Sequence, residues 1–175
     1  MMNTENQSDK KIWGRIMWKL FFTIAEYSEY IDIILLSDLI KIIPYIIPCE
    51  ECQKHTEYIY EIYDFNNIGG SKFEYIIWQL NSEIKKKTHE RPLTYNEYKN
   101  NLKSNEKISV NEIIKLVDLI SRTKIKTKCK TCNGKLKKND IRTFIDTIIK
   151  ISKYIPQISG LKNVSHILYM STYHM

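Results

Sequence analysis

Apolar residues in this chain return every three or four positions, and that spacing restricts the fold more than any other feature of the sequence. Val110, Ile113, Ile114, Val117 and Ile120 fall on one side of a helix. Ile16, Leu20, Thr23, Ala25 and Tyr27 do the same over 12–30, and Trp13 and Met17 broaden that side. Further helices are expected over 32–43, 49–63, 71 to about 87, and about 139 to 154. Ser37-Asp38 is a candidate break in the second, and 66–70, which holds Gly69-Gly70, reads as a turn. Ser71 with Glu74, and Ser109 with Glu112, have the spacing of a capping box at a helix start. Residues 89–105 are polar and contain Pro92, so they read as a linker with at most one short helix. Pro156 and Gly160 end the helix over 139–154, and 161–175 leaves helix and frayed end both open. Five glycines and four prolines in 175 residues argue against a loop-rich or all-β chain. The expected fold is all-α, with a bundle of short helices over roughly 10–89 and two or three further helices after it.

A chain of this length can bury a core without disulfide staples. The composition, 43% hydrophobic and 27% charged, is that of a globular protein. The net charge of +7 owes much to lysines between 124 and 138. Such a run is a solvated basic loop or a contact for an anionic partner. No motif for reading specific DNA or RNA accompanies it. The first eleven residues are polar and carry no hydrophobic signal core. Residues 31–48 are apolar, but Asp32, Asp38 and Lys41 interrupt them and Pro44 and Pro48 break them. No membrane span is expected there; a packed helix is. With no signal segment the expected address is cytoplasmic. Paired cysteines in that compartment point to redox catalysis or metal binding.

The cysteines come as two C-x-x-C pairs, Cys49/Cys52 and Cys129/Cys132. The pairs begin 80 positions apart, at 49 and 129, and their flanking sequences give no sign of duplication. Pro48 suits the start of a helix, where its missing N–H costs nothing. The free N–H groups and dipole of that helix end favour a thiolate at Cys49, whereas Glu50 and Glu51 oppose it. Upstream lies Gly14-Arg15-Ile16-Met17-Trp18, and downstream lies Ile77-Trp78-Gln79-Leu80-Asn81 with Lys85, Lys86 and Lys87 after it.

These segments resemble the Erv/ALR family of FAD-dependent sulfhydryl oxidases. The family pattern opens with G-R-x-x-W, continues with P-C-x-x-C-x-x-H, here Pro48 to His55, and then has H-N-x-V-N followed by lysines. The third element is partly kept: Asn81 holds the second Asn and Trp78 stands where the first is usual. Phe22 replaces the family's His four positions after Trp18. Those departures resemble the small oxidases of poxviruses and other large DNA viruses. The resemblance covers about residues 10–90, so 1–94 is expected to be the oxidase domain and 95–175 a helical extension carrying the second C-x-x-C.

The resemblance implies a four-helix bundle with a short fifth helix, FAD as cofactor, and usually a homodimer formed through the first two helices. It implies a thiol oxidase that forms disulfides in partner proteins, thioredoxin-like ones among the candidates. Electrons would pass from a dithiol through Cys49/Cys52 to FAD and then to O2, giving H2O2. By family position Cys52 lies nearest the flavin and Cys49 exchanges with the incoming dithiol. Cofactor contacts carried over are Gly14, Arg15, Trp18, Phe22, His55, Trp78, Asn81, Lys85 and Lys86. For each, packing or solvation is the competing reading. No G-x-G-x-x-G turn is present, so a Rossmann-type site is not expected. Cys129/Cys132 is a shuttle dithiol, a structural disulfide or part of a zinc site. The viral branch implies a host-cell cytoplasmic or virion location. The alternatives are a helical zinc-binding module that uses both pairs to hold an anionic partner, and an oxidase fold that no longer binds FAD.

Overall fold

The computed structural model describes residues 4–47, 68–122 and 138–173, with backbone alone for 4–10. Every regular element among them is helical, as the apolar spacing requires. Helix α1 is Thr4–Tyr27, closed by a 3-10 turn at Ser28–Tyr30, and α2 is Ile33–Ile46. Helix α3 is Gly70–Lys87, α4 Tyr95–Ser104, α5 Val110–Arg122 and α6 Lys138–Ile151. Two 3-10 stretches, Ser152–Tyr154 and Pro156–Val164, lead to the short α7, Ser165–Met170. The helix expected over 49–63 lies outside the described residues.

The local chemistry explains most boundaries. Asp32 caps α2 by accepting the Ile34 N–H at 2.7 Å. Ser37-Asp38 does not break α2. Ser37 turns inward and accepts the Ile68 N–H at 3.2 Å, while Asp38 faces solvent. Pro44 is accommodated in the last turn, two residues before the helix ends. The expected cap at Ser71 does not form: α3 starts one residue earlier, with Gly69 as its cap residue. Gly70 lies so close to the end of α1 that a Cβ on it would sit 2.6 Å from the Glu29 nitrogen. The need for glycine there is close approach of two backbones, not a turn. The expected box at Ser109 does form. Glu112 accepts from the Ser109 N–H at 2.9 Å, and the Ser109 hydroxyl accepts from the Glu112 N–H at 3.3 Å.

The polar stretch 89–105 holds more order than its composition suggests. Thr94 and Glu97 make a complete capping box on α4, and Arg91 pairs with Glu97 at 2.8 Å. Tyr98 and Leu102 then enter the core.

Helix α3 starts against the end of α1 and packs on it, and α5 packs on another side of α1. Helix α2 makes its broadest contact with α6. Among the described residues the buried side chains form one cluster that includes Leu20, Ile24, Leu36, Ile43, Phe73, Ile113, Phe144 and Ile148. The segments on either side of residue 94 therefore share one core. No helix among the described residues is long and apolar enough to cross a membrane. Helix α2 has 14 residues where a span needs about 20.

Candidate functional site

The motif residues that the structure describes sit on α1 and α3, which pack against each other. On α1, Gly14 is half-buried, Arg15 is exposed, and Trp18 and Phe22 are half-buried one turn apart. Their rings meet at 5.7 Å, and Trp18 also meets Phe21 edge-on at 5.9 Å. On α3, Trp78 is half-buried and Asn81 is buried. Lys85 is half-buried in the last turn, and exposed Lys86 pairs with Glu83 at 2.6 Å. Cys49, Cys52, His55, Cys129 and Cys132 lie outside the described residues.

Helix α4 joins the two motif helices. Tyr98 packs edge-on against Phe22 at 5.6 Å and stacks with Tyr95 at 6.3 Å. Tyr95 meets Trp78 at 5.4 Å and Tyr75 at 5.4 Å. Trp18, Phe22 and Trp78, singled out from three different positions in the sequence, thus belong to one continuous aromatic set. Tyr95 and Tyr98 complete it, and sequence reasoning missed both. The available signal was the Thr94-x-x-Glu97 box, which starts a helix where a linker was expected.

Within this set Trp78 is tied down. Its indole N–H donates to the Leu93 carbonyl at 2.8 Å, and Tyr75 at 5.2 Å and Tyr95 both pack on it. That is a structural role at the α3–α4 junction. Tyr95 donates to Glu74 at 2.8 Å, with Lys99 3.9 Å from the same carboxylate. Burial, then the bond to Glu74, raises the Tyr95 pKa to about 12. Burial also pushes the Tyr98 phenol far up, and the charge of Glu74 and the neighbouring Tyr95 add to this. The Tyr98 hydroxyl is buried without a hydrogen-bond partner. These phenols stay protonated at physiological pH and serve as packing groups, not as bases.

Two further features border the motif on α1. The Trp13 indole N–H is buried with no acceptor. Beside it in sequence, a Cβ on Gly14 would meet no heavy atom within 4 Å. A buried donor without a partner is costly, and the glycine leaves the α1 backbone open to close approach.

Elsewhere on α1, Lys19 bridges Glu112 at 2.8 Å and Glu106 at 3.1 Å. Burial alone would lower its pKa, but the two carboxylates prevail and hold it above the usual lysine value. Burial acts first on Glu112 as well, raising it, yet Lys19 and the Ser109 N–H and hydroxyl hold it below the usual range. Thr23 accepts the Ile108 N–H at 3.1 Å, and Lys107 pairs with Glu26. This line of contacts fastens the start of α5 along α1. Among the described residues no cluster of His, Cys, Asp or Glu is arranged to hold a metal. Compared with protein-family models, curated proteins and solved structures, the chain matches none of them.

Proposed function

We propose that this protein is an FAD-linked thiol oxidase of the Erv/ALR type, with Cys49 and Cys52 as its redox pair. The observation that carries this reading is the placement of the motifs. The G-R-x-x-W helix α1 and the W-x-x-N helix α3 pack on each other, and α2 ends at Ile46, just before Pro48-Cys49. In this reading α1, α2 and α3 are three helices of the four-helix bundle and α4 is its short fifth helix.

The residues present fit a planar, polar cofactor. The open space at Gly14 and the unpartnered Trp13 N–H support a ligand against α1. Asn81 supplies a buried amide on the neighbouring α3. Trp18 offers an aromatic surface from α1, whereas Trp78 acts by holding α4 in place. On the same reading the pyrophosphate is assigned to the exposed Arg15 on α1 and to Lys85 and Lys86 in the last turn of α3. When bound, FAD accepts two electrons and returns them to oxygen, giving H2O2. The protein's share is thiol–disulfide exchange: a thiolate of the substrate attacks the Cys49–Cys52 disulfide at Cys49, and Cys52 leaves. The second substrate thiol then displaces Cys49, which leaves the substrate oxidised and the pair reduced. In this reading Cys129/Cys132 is the shuttle dithiol, exchanging by the same chemistry, with a structural disulfide as its competing role. The substrate is a dithiol protein and the compartment cytoplasmic.

The test is the visible spectrum of the purified full chain, before and after dithiothreitol. A flavin spectrum that bleaches and recovers in air is expected, with turnover lost in Cys52→Ser while flavin stays bound. A chain that remains colourless after FAD is added, or turnover that survives Cys52→Ser, overturns the assignment.

A further inference from the structure

The end of the described chain leaves an apolar strip uncovered. On α7, Leu168 turns into the core, while Ile167 is 38% exposed and Met170 57%. Positions three apart share a helix face. The turn after α7 keeps that spacing. The Thr172 N–H donates to the Tyr169 carbonyl at 2.9 Å, and the Tyr173 N–H to the Met170 carbonyl at 3.0 Å. Backbone bonds of that span set side chains three apart in line, so Tyr173, 61% exposed, continues the strip. Single exposed apolar residues need no explanation, but three in a row form a patch.

Two cations border the Tyr173 end of this patch. The Lys138 Nζ lies 5.1 Å from the centre of the Tyr173 ring, and the Arg142 guanidinium carbon 5.7 Å. The ring attracts both through its electron-rich faces. Arg142 is held further by its Nε, which donates to the Thr172 hydroxyl at 3.4 Å, a bond that does not engage its two Nη groups. Among the described residues neither cation pairs with a carboxylate. Asp146 stands one turn beyond Arg142 but accepts from the Tyr169 hydroxyl. Asp140 is two positions from each cation and so lies off their face. Two like charges one turn apart repel each other. A carboxylate placed against them removes that repulsion, and the fork of Arg142 suits its shape.

We propose that this patch is a docking surface for a short acidic segment of a partner protein. Carboxylates of the segment pair with Lys138 and Arg142, and its apolar side chains cover Ile167, Met170 and Tyr173. Nucleic acid fits less well. The positive stretch is one turn long, because Asp146 follows on the same face of α6. A phosphate chain would run into that carboxylate and would leave Ile167 and Met170 uncovered. The inference uses neither the cysteines nor a flavin and does not rest on the oxidase reading.

The test is selection of a phage-displayed library of random peptides on the full chain in dithiothreitol, followed by fluorescence titration with the selected peptides made synthetically. Selected peptides should combine Asp or Glu with Leu, Phe or Trp, and should bind more weakly as salt is added. Lys138→Glu and Met170→Glu should each weaken binding at least about tenfold, the effect of losing a central contact, with the melting curve unchanged. Lys103→Glu makes the same change in net charge at an exposed site on α4 and should alter affinity by no more than about twofold. A library that yields no acidic peptides, or binding indifferent to Lys138→Glu or to Met170→Glu, overturns the proposal. Equal losses in Lys103→Glu and Lys138→Glu overturn it too, since net charge alone then drives the binding. Oligothymidylate bound more tightly than every selected peptide, and lost in Lys138→Glu, assigns the surface to nucleic acid and overturns it as well.

Discussion

Two glycines with the same local freedom have opposite roles here. Gly70 is pressed against the Ser28–Glu29 backbone, so Gly70→Ala must shift one chain segment or the other. It should cost about 1–3 kcal/mol, the usual range for overpacking, as read from urea unfolding. Gly14 faces open space within a helix, where Ala is the better helix former. Gly14→Ala should leave the flavin-free protein as stable or raise it by up to about 1 kcal/mol, while lowering flavin retention on gel filtration. If flavin is held equally well by Gly14→Ala, the cofactor does not approach α1 there. Tyr98→Phe removes a buried hydroxyl that has no partner. It should be neutral or stabilising by up to about 1 kcal/mol, where deleting a satisfied hydroxyl would destabilise. The sequence identified Trp18, Phe22 and Trp78 by position, but not that they share one aromatic set. That depends on Tyr95 and Tyr98, whose segment looked too polar to pack.

At the level of elements, spacing located the helices and misplaced several of their ends. The stripe over 110–120 and the box at Ser109 were legible because sequence-local forces decide both. Ser71 had the same local signature, yet Gly69 became the cap, since the close contact of Gly70 with α1 fixes where α3 begins. Likewise Ser37 looked like a breaker until its hydroxyl had a distant partner in the Ile68 N–H. Helix α4 shows the converse, a capped helix inside an apparent linker. Thr94→Ala removes the hydroxyl that accepts the Glu97 N–H and should cost about 1 kcal/mol, the usual value of a helix cap. Because α4 carries Tyr95 and Tyr98, the same change should loosen the ring contacts with Trp78. Near-ultraviolet circular dichroism would register that as lost aromatic signal.

For the molecule as a whole, the sequence suggested an oxidase segment and an appended one, divided at 94. Side chains from both contribute to one buried cluster, and α2 and α1 take their cover from α6 and α5. A fragment ending at 94 is therefore expected to unfold without a cooperative transition, where the full chain melts sharply. Helical periodicity names the faces that must be covered, but not which helix covers them. That is why this pairing was not legible beforehand. Alkaline pH should act on the whole fold as well. Tyr95 and Tyr169 have pKa values raised to about 12, in each case first by burial and then by a carboxylate, Glu74 or Asp146. A raised phenol pKa contributes stability in full below the unfolded value near 10, and that contribution is lost as pH rises toward 12. Absorbance at 295 nm should show a late tyrosine ionisation step that coincides with loss of helix.

The pairing of α2 with α6 also fixes a timetable for synthesis. Some ninety residues separate the end of α2 at Ile46 from the start of α6 at Lys138. At ordinary translation rates, that is an interval of roughly 5 to 20 s between the emergence of α2, the most apolar of the described helices, and that of its covering helix. The nascent chain presents a holdase chaperone with a ready ligand for that interval. The yield of folded protein should therefore respond more to the speed of elongation through residues 47–138 than to any change made after α6 has emerged.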